Sequence, residues 1–452
     1  MRFENDHLGY AFEGDYPESY GDAELPGLRA IVERQIGQLA GDIGADDRLL
    51  GILMGRRAGG DLTARAQVEP RRRRAGSPSL LARGEVLTSV DGYKNLGDLR
   101  GRFAGPESLD GGRSGHVCLR WPRASAADVD GFIFRAGAAK VEAFPNYLAT
   151  MAAVGKGIGG PEPVSPLPTA EVAKLAEPQL GDFGVPVAVI DTGIPAGMRG
   201  DHLLNDVERR SDGTNIDQLD VFPAGPDNLL DYQAGHGTFV TGVVRRVAPK
   251  AKISVYRAAD SDGFATDQDI AEQILRAYED GAQIINLSLG IQTVDDQPPP
   301  AIAAAVAHVR SASGGQTVIV AAAGNNGDNS PVYPAALDGV DAVAGLTGNL
   351  TPSRWSSYGD SVRFSTVAEG IRSTYVSGTE SPVFDPSPDT FGADAWAIWC
   401  GTSFAAPQVA GAIARISDEE QISPRQAAEK LYTYGKKIPG YGSAMRILQG
   451  LG

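Results

Sequence analysis

The stretch Val185-Pro186-Val187-Ala188-Val189-Ile190-Asp191-Thr192-Gly193 decides the fold. An unbroken apolar run stops at an aspartate. A strand of that composition is buried on both faces, as strands of a parallel sheet are. Three further runs share the pattern: Ile253–Tyr256, Gln283–Leu289 and Thr317–Ala322. Helical segments lie between them. Asp267–Asp280 has Thr266 as N-cap, Asp269 at the capping-box position and Gly281 as its stop. Pro300–Ser313 is alanine-rich and ends at Gly314-Gly315. The alternation predicts an α/β fold, a doubly wound and mainly parallel sheet with flanking helices. In such sheets active residues gather beyond the carboxyl ends of the strands, where Asp191 and Asn325 stand.

Working outward, a Gly/Pro-rich connection at 157–169 marks a boundary, and residues 151–180 read as a linker before a 181–452 domain. Residues 83–150 read as a small α+β domain. Its predicted elements are strands at Glu85–Val90 and His116–Trp121, a helix at Ser125–Arg135 with Ser125 as N-cap, and a last strand at Lys140–Tyr147. Residues 1–82 have no assigned role. Within them, 28–54 carry helical apolar spacing, and Arg71-Arg72-Arg73-Arg74 reads as a solvated basic loop.

The chain of 452 residues has a net charge of -15, and the acidic excess falls after residue 150. That balance argues against a nucleic-acid binder held by phosphate contacts. No run approaches the roughly 18 apolar residues of a membrane span. The polar start lacks a secretory h-region, and two cysteines, Cys118 and Cys400, do not make a disulfide framework. The expectation is a cytoplasmic protein with reduced thiols.

A serine hydroxyl becomes a useful nucleophile when an imidazole takes its proton and a carboxylate orients that imidazole. Three separated segments fit. Asp191-Thr192-Gly193 follows a buried strand. His236-Gly237-Thr238-Phe239-Val240 opens a helix. Gly401-Thr402-Ser403-Phe404-Ala405-Ala406-Pro407 opens another, and Pro407 is tolerated in its first turn. A nucleophile there also feels the positive end of the helix dipole. The order Asp, His, Ser belongs to the subtilisin branch of triad enzymes.

On these segments, with Ala321-Ala322-Ala323-Gly324-Asn325 as a fourth, the chain resembles the subtilases over about 180–416. The resemblance implies a serine endopeptidase of intracellular type acting on protein or peptide substrates. Ser403 would be the nucleophile, His236 the general base and then acid, and Asp191 the residue that orients the imidazole. Asn325 and the Ser403 N–H would stabilise the oxyanion. Ser288-Leu289-Gly290 and Ala322-Ala323-Gly324 resemble the two walls of the S1 pocket. Gly263 and Phe264, in Asp262-Gly263-Phe264, resemble the other strand flanking the peptide. The resemblance would also put Val332 at the base of S1, where a branched residue implies a small or medium P1 side chain.

Departures from the family pattern are Phe239, Phe404 and Gln408, where many relatives have histidine, methionine and histidine. The calcium-ligating loop after the His segment is missing, so neither a metal at that site nor a cofactor is expected. Residues 377–398 form an insertion, either a lid or exosite or a variable surface loop. Cys400 beside the site reads as packing. Ala139–Leu148 resembles the last strand of a subtilase propeptide, which places a cleavage in about 149–160. The other reading of 83–150 is a permanent accessory domain, and the N-terminal region is also where a regulatory protein would dock. The alternative to an enzyme held latent is a catalytically silent subtilase-fold module that binds extended peptides.

Overall fold

In the computed structural model, residues 3–6, 9–12, 24–40, 47–58, 67–73, 78–103, 113–121, 123–152, 160–176, 184–210 and 229–451 are described. A short hairpin (β1, Phe3–Asp6; β2, Gly9–Phe12) is followed by two helices, α1 (Leu25–Leu39) and α2 (Asp47–Ala58). Strands β3 (Val68–Arg71) and β4 (Ser79–Ser89) precede helix α3 (Val90–Asn95). Strand β5 (His116–Arg120), helix α4 (Ala126–Ala138) and strand β6 (Ala143–Met151) complete a small α+β layer. Ser125 caps α4 in a full capping box with Asp128, and α4 packs Val129, Phe132 and Ala136 onto Val86 and Leu119. Next come β7 (Glu162–Val164) and α5 (Thr169–Ala176).

The remainder carries β8 (Pro186–Asp191), β9 (Glu208–Arg210), α6 (His236–Val247), β10 (Lys252–Arg257) and β11 (Phe264–Thr266). These lead into α7 (Asp267–Glu279), β12 (Ile284–Leu287), β13 (Leu289–Gly290), α8 (Pro300–Ala312) and β14 (Val318–Ala322). Strands β15 (Val340–Leu346), β16 (Val362–Val367), β17 (Ile371–Thr374), β18 (Gly378–Thr379), β19 (Thr390–Phe391) and β20 (Trp396–Trp399) follow. Helices α9 (Ala406–Glu420) and α10 (Pro424–Tyr434) and strands β21 (Lys436–Ile438) and β22 (Gly442–Ala444) come last.

The central sheet has the order β21-β22-β16-β15-β14-β12-β8-β10-β9, and only the β21–β22 pair is antiparallel. Successive strand residues face opposite sides, and both sides are apolar. Val187 and Val189 join a core with α6 and α9, while Ala188 and Ile190 join one with α7 and α8. This is the expected doubly wound architecture. Strand β8 pairs with β10 on one side and β12 on the other, so Asp191 ends the strand at which the winding reverses. Loops leaving such a point diverge and open a crevice.

The helical spacing of 28–54 is met by two helices, α1 and α2. Two local expectations need correction. The last α+β strand is not Lys140–Tyr147 but Ala143–Met151. Lys140 takes a left-handed φ of 60° in the turn after α4, and partners from the central fold carry the strand past Tyr147. The basic run is not a solvated loop in its described part. Arg71 lies in β3, paired with Glu69 and Asp130, and the nearly buried Arg73 bonds Asp296 and the Thr293 carbonyl.

The stretch 151–180 contains β7 and α5, and β7 pairs with β20 in a small sheet with β17. Within 377–398, Phe384, Phe391 and Trp396 are buried, so this insertion packs onto the body.

Candidate active site

Asp191, His236 and Ser403 converge from three segments, and all three are fully buried. The Asp191 Oδ1 lies 2.7 Å from His236 Nδ1 and also accepts the Thr192 N–H at 2.7 Å. Thr192 Oγ1 in turn accepts the Gly237 N–H at 2.9 Å. A Cβ on Gly237 would lie 2.1 Å from the Gly193 carbonyl oxygen, so only glycine allows the two loops to meet this closely. The imidazole is thereby fixed in register with its carboxylate. Its Nε2 is buried and has no hydrogen-bond partner among the described residues.

Ser403 lies in a 3-10 turn, Thr402–Phe404, just before α9. Its Oγ donates to the Ser288 carbonyl at 2.8 Å, and Ser288 Oγ donates back to the Ser403 carbonyl at 2.8 Å. Asn286 Nδ2 supports Ser288 Oγ at 3.0 Å. Asn325 accepts at Oδ1 from the Thr402 N–H (3.0 Å) and Oγ1 (2.8 Å), which fixes its amide plane beside the serine.

The cleft is filled by the chain itself. Strand β6 runs antiparallel between β11 and β13, with Thr150 opposite both Phe264 and Gly290 and Met151 opposite Leu289. One residue further, the Ala152 N–H reaches the Ser288 carbonyl at 3.3 Å, and the Ala152 carbonyl accepts the Ser403 N–H at 2.8 Å. The segments expected to flank a peptide, Gly263-Phe264 and Ser288-Leu289-Gly290, do flank an extended strand. Leu289 packs with Ala149 and Met151, Phe264 packs with Leu148, and a Cβ on Gly263 would meet Met151 Cγ at 3.3 Å. Val332 lies between the expected S1 walls: Cβ atoms built on Gly290 and Gly324 would lie 2.6 and 2.9 Å from its methyls. Ala322 is core and Ala323 sits at a strand end, its N–H donating to Val343.

Sequence reasoning missed Ala152, because the strand was ended at Tyr147. The apolar continuation Leu148-Ala149-Thr150-Met151-Ala152 was the available signal. It foresaw helical spacing through Leu49, Leu50 and Leu53 but missed where α2 docks, against Leu148 and Phe264. Leu53 packs with Leu148 and Phe264, while the buried Arg57 pairs with Asp260 at 2.8 Å and stacks 4.8 Å over the Phe264 ring.

A family model described as the Subtilase family matches residues 182–436, more than half of the chain. The chain belongs to the subtilase family. It is 30% identical over 284 residues to thermitase of Thermoactinomyces vulgaris, covering 60% of this chain and 89% of thermitase. It is also 30% identical to the thermophilic serine proteinase of Bacillus sp. (strain AK1), spanning 58% of this subtilase and only 59% of that relative. A third similar protein, at 30% identity over 52% of this chain and 66% of its own, is the intracellular serine protease of Paenibacillus polymyxa. Among solved structures, fervidolysin from Fervidobacterium pennivorans aligns with a TM-score of 0.55 at 20% identity, over 86% of this chain and 63% of its own. That coverage exceeds what residues 182–452 can supply, so the shared fold extends into the N-terminal region.

The residues at which this subtilase departs from the family pattern are all buried. Phe239 and Phe404 pack 4.4 Å apart, and Phe404 and Trp399 lie 5.6 and 5.5 Å from the His236 ring, as an aromatic bed for the imidazole. Gln408 is buried and donates to the Phe404 and Val367 carbonyls while accepting the Leu448 N–H. Cys400 is buried, accepts the Gly370 N–H at 3.1 Å, and burial pushes its thiol up. These features describe packing.

Proposed function

We propose that this subtilase is a serine endopeptidase whose N-terminal region, ending at Ala152, occupies its own cleft, is cut at the Ala152–Ala153 bond, and keeps the cleft latent until it is released. The observation that carries the reading is the 2.8 Å bond from the Ser403 N–H to the Ala152 carbonyl, at the end of a strand paired on both sides. Substrates of this kind bind by β-augmentation, with backbone hydrogen bonds for affinity and side-chain pockets for specificity.

In the proposed chemistry, Ser403 Oγ leaves the Ser288 carbonyl and donates to His236 Nε2. It attacks the carbonyl carbon as the proton passes to Nε2. Asp191 holds the other ring nitrogen and stabilises the imidazolium. Negative charge on the former carbonyl oxygen is met by the Ser403 N–H and by the Asn325 amide, whose oxygen is held by Thr402. The imidazolium then protonates the departing amine, and water, activated by the same imidazole, frees the acyl group. Val332 between the S1 walls favours a small P1 residue such as Ala152. A cytoplasmic setting is supported by the intracellular relative and by two cysteines that stay as free thiols.

The second reading, a silent peptide-binding module, is favoured by one observation: Ser403 Oγ bonds Ser288 rather than His236. A fluorophosphonate probe with intact-mass analysis separates the two. Labelling of the wild type but not Ser403→Ala, with masses for 1–152 and 153–452, supports the enzyme. An uncut chain that binds peptide and never labels would establish the module.

A further inference from the structure

Helix α1 stands before the small α+β layer in sequence but packs elsewhere. Leu28 and Val32 are buried in the same core as Phe239, Trp399 and Phe404. Val32 Cγ2 comes within 2.9 Å of where a Cβ on Gly370 would stand, beside Leu451. Gln35 is fully buried, and its Nε2 donates to the Gly160 carbonyl at 2.7 Å and the Ile398 carbonyl at 3.3 Å. Arg34 pairs with Glu162 at 3.5 Å, and Glu24 accepts from Ser165 Oγ at 2.7 Å. Each of these partners lies on the C-terminal side of Ala152. A cut there would sever the chain while leaving every one of these contacts in place.

We propose that α1 is a second anchor, independent of the cleft, which keeps the cut N-terminal piece bound to the peptidase as a noncovalent subunit. This rests on the proposed cut after Ala152. The piece then binds around the cleft, through β6 and the Arg57–Asp260 and Arg73–Asp296 pairs, and separately through α1 against β7 and β20. While α1 holds, any withdrawal of β6 is reversed at a high local concentration, a gain of about 10²-fold or more over one site alone. Cutting therefore does not by itself expose the cleft, and activation requires α1 to let go. The α1 interface combines apolar side chains with a buried amide that bonds two backbone carbonyls, so it is specific as well as adhesive.

The test uses the full chain, wild type and the double variant Val32→Ala/Gln35→Ala, which leaves the cleft untouched. Size-exclusion chromatography with intact masses follows the pieces, and a small alanine-P1 fluorogenic peptide follows activity. The expected result is equal cutting in both, co-elution of 1–152 with 153–452 in the wild type, and release about 10²-fold faster in the variant. Loss of the fragment from the wild type as fast as from the variant would overturn the anchor. A mass showing an uncut chain would refute the self-cutting reading instead. Hydrogen exchange on that uncut chain then decides the anchor. It requires residues 25–39 and 396–399 to be protected and to lose protection together in the variant. Exchange of 25–39 at free-helix rates in the wild type would overturn it.

Discussion

The backbone N–H of Ser403 donates to the carbonyl of Ala152 at 2.8 Å, so the proposed nucleophile's own backbone grips a peptide carbonyl of the same chain. With Val332 between the proposed S1 walls, Gly290 and Gly324, little depth remains there for a side chain at 152. Ala152→Phe should slow self-cutting by about 10–200-fold, the range for a side chain misfitted to an apolar pocket. Val332→Ala in the same chain should recover part of the loss. A time course of intact masses checks both, and unchanged cutting in Ala152→Phe would remove Ala152 from S1.

Asn325 accepts from the Thr402 N–H and Oγ1 at its amide oxygen, and in the proposed mechanism its amide nitrogen donates to the oxyanion. Asn325→Ala should lower kcat by about 10²–10³-fold with little change in KM, a figure measured on subtilisin. A loss confined to KM would point to ground-state binding instead.

The interlock of Gly237 with Gly193 leaves no room for a methyl group, since the added Cβ would lie 2.1 Å from a carbonyl oxygen. Gly237→Ala in a Ser403→Ala chain should destabilise by about 4 kcal/mol or more, the scale of severe steric lesions. Thermal melts measure it. A melting temperature equal to that of the Ser403→Ala parent would show that the loops separate cheaply.

Asp267 is fully buried and accepts the N–H groups of Ala301 (3.0 Å) and Ile302 (2.8 Å) at the start of α8. Burial pushes its carboxyl up to about 7, against the two donors that pull it down. The folded chain thus holds this proton more tightly than the unfolded chain, where the pKa is about 3.9. The stabilising contribution is complete below about pH 4 and is lost as pH rises toward 7. Melts of Ser403→Ala chains from pH 4.5 to 8 should show a decline that Asp267→Asn flattens. Parallel curves for the two would assign the proton elsewhere.

Sequence alone made the central sheet and the three converging segments legible, because both depend on local pattern. Val187 to Ile190 is apolar at every position, and the Asp, His and Ser segments each sit where a strand ends or a helix begins. What it hid depends on distant partners. The spacing of Leu28, Ile31, Val32, Ile36 and Leu39 gives α1 an apolar face, but not that Gln35 is buried or that Gly160 and Ile398 lie opposite it. Strand β6 reaches Met151 because β11 and β13 supply hydrogen bonds from more than a hundred residues away. Arg73 looked solvated because its carboxylate partner, Asp296, is equally remote in sequence.

The strand that fills the cleft ends at Met151, while the serine it covers is residue 403. On the ribosome the cover is therefore finished first. At about 5–20 residues per second, roughly 250 residues separate the two by about 10–50 s. On the proposed reading, no copy of Ser403 emerges before its guard has been made, and each guard is produced in a one-to-one ratio by translation itself.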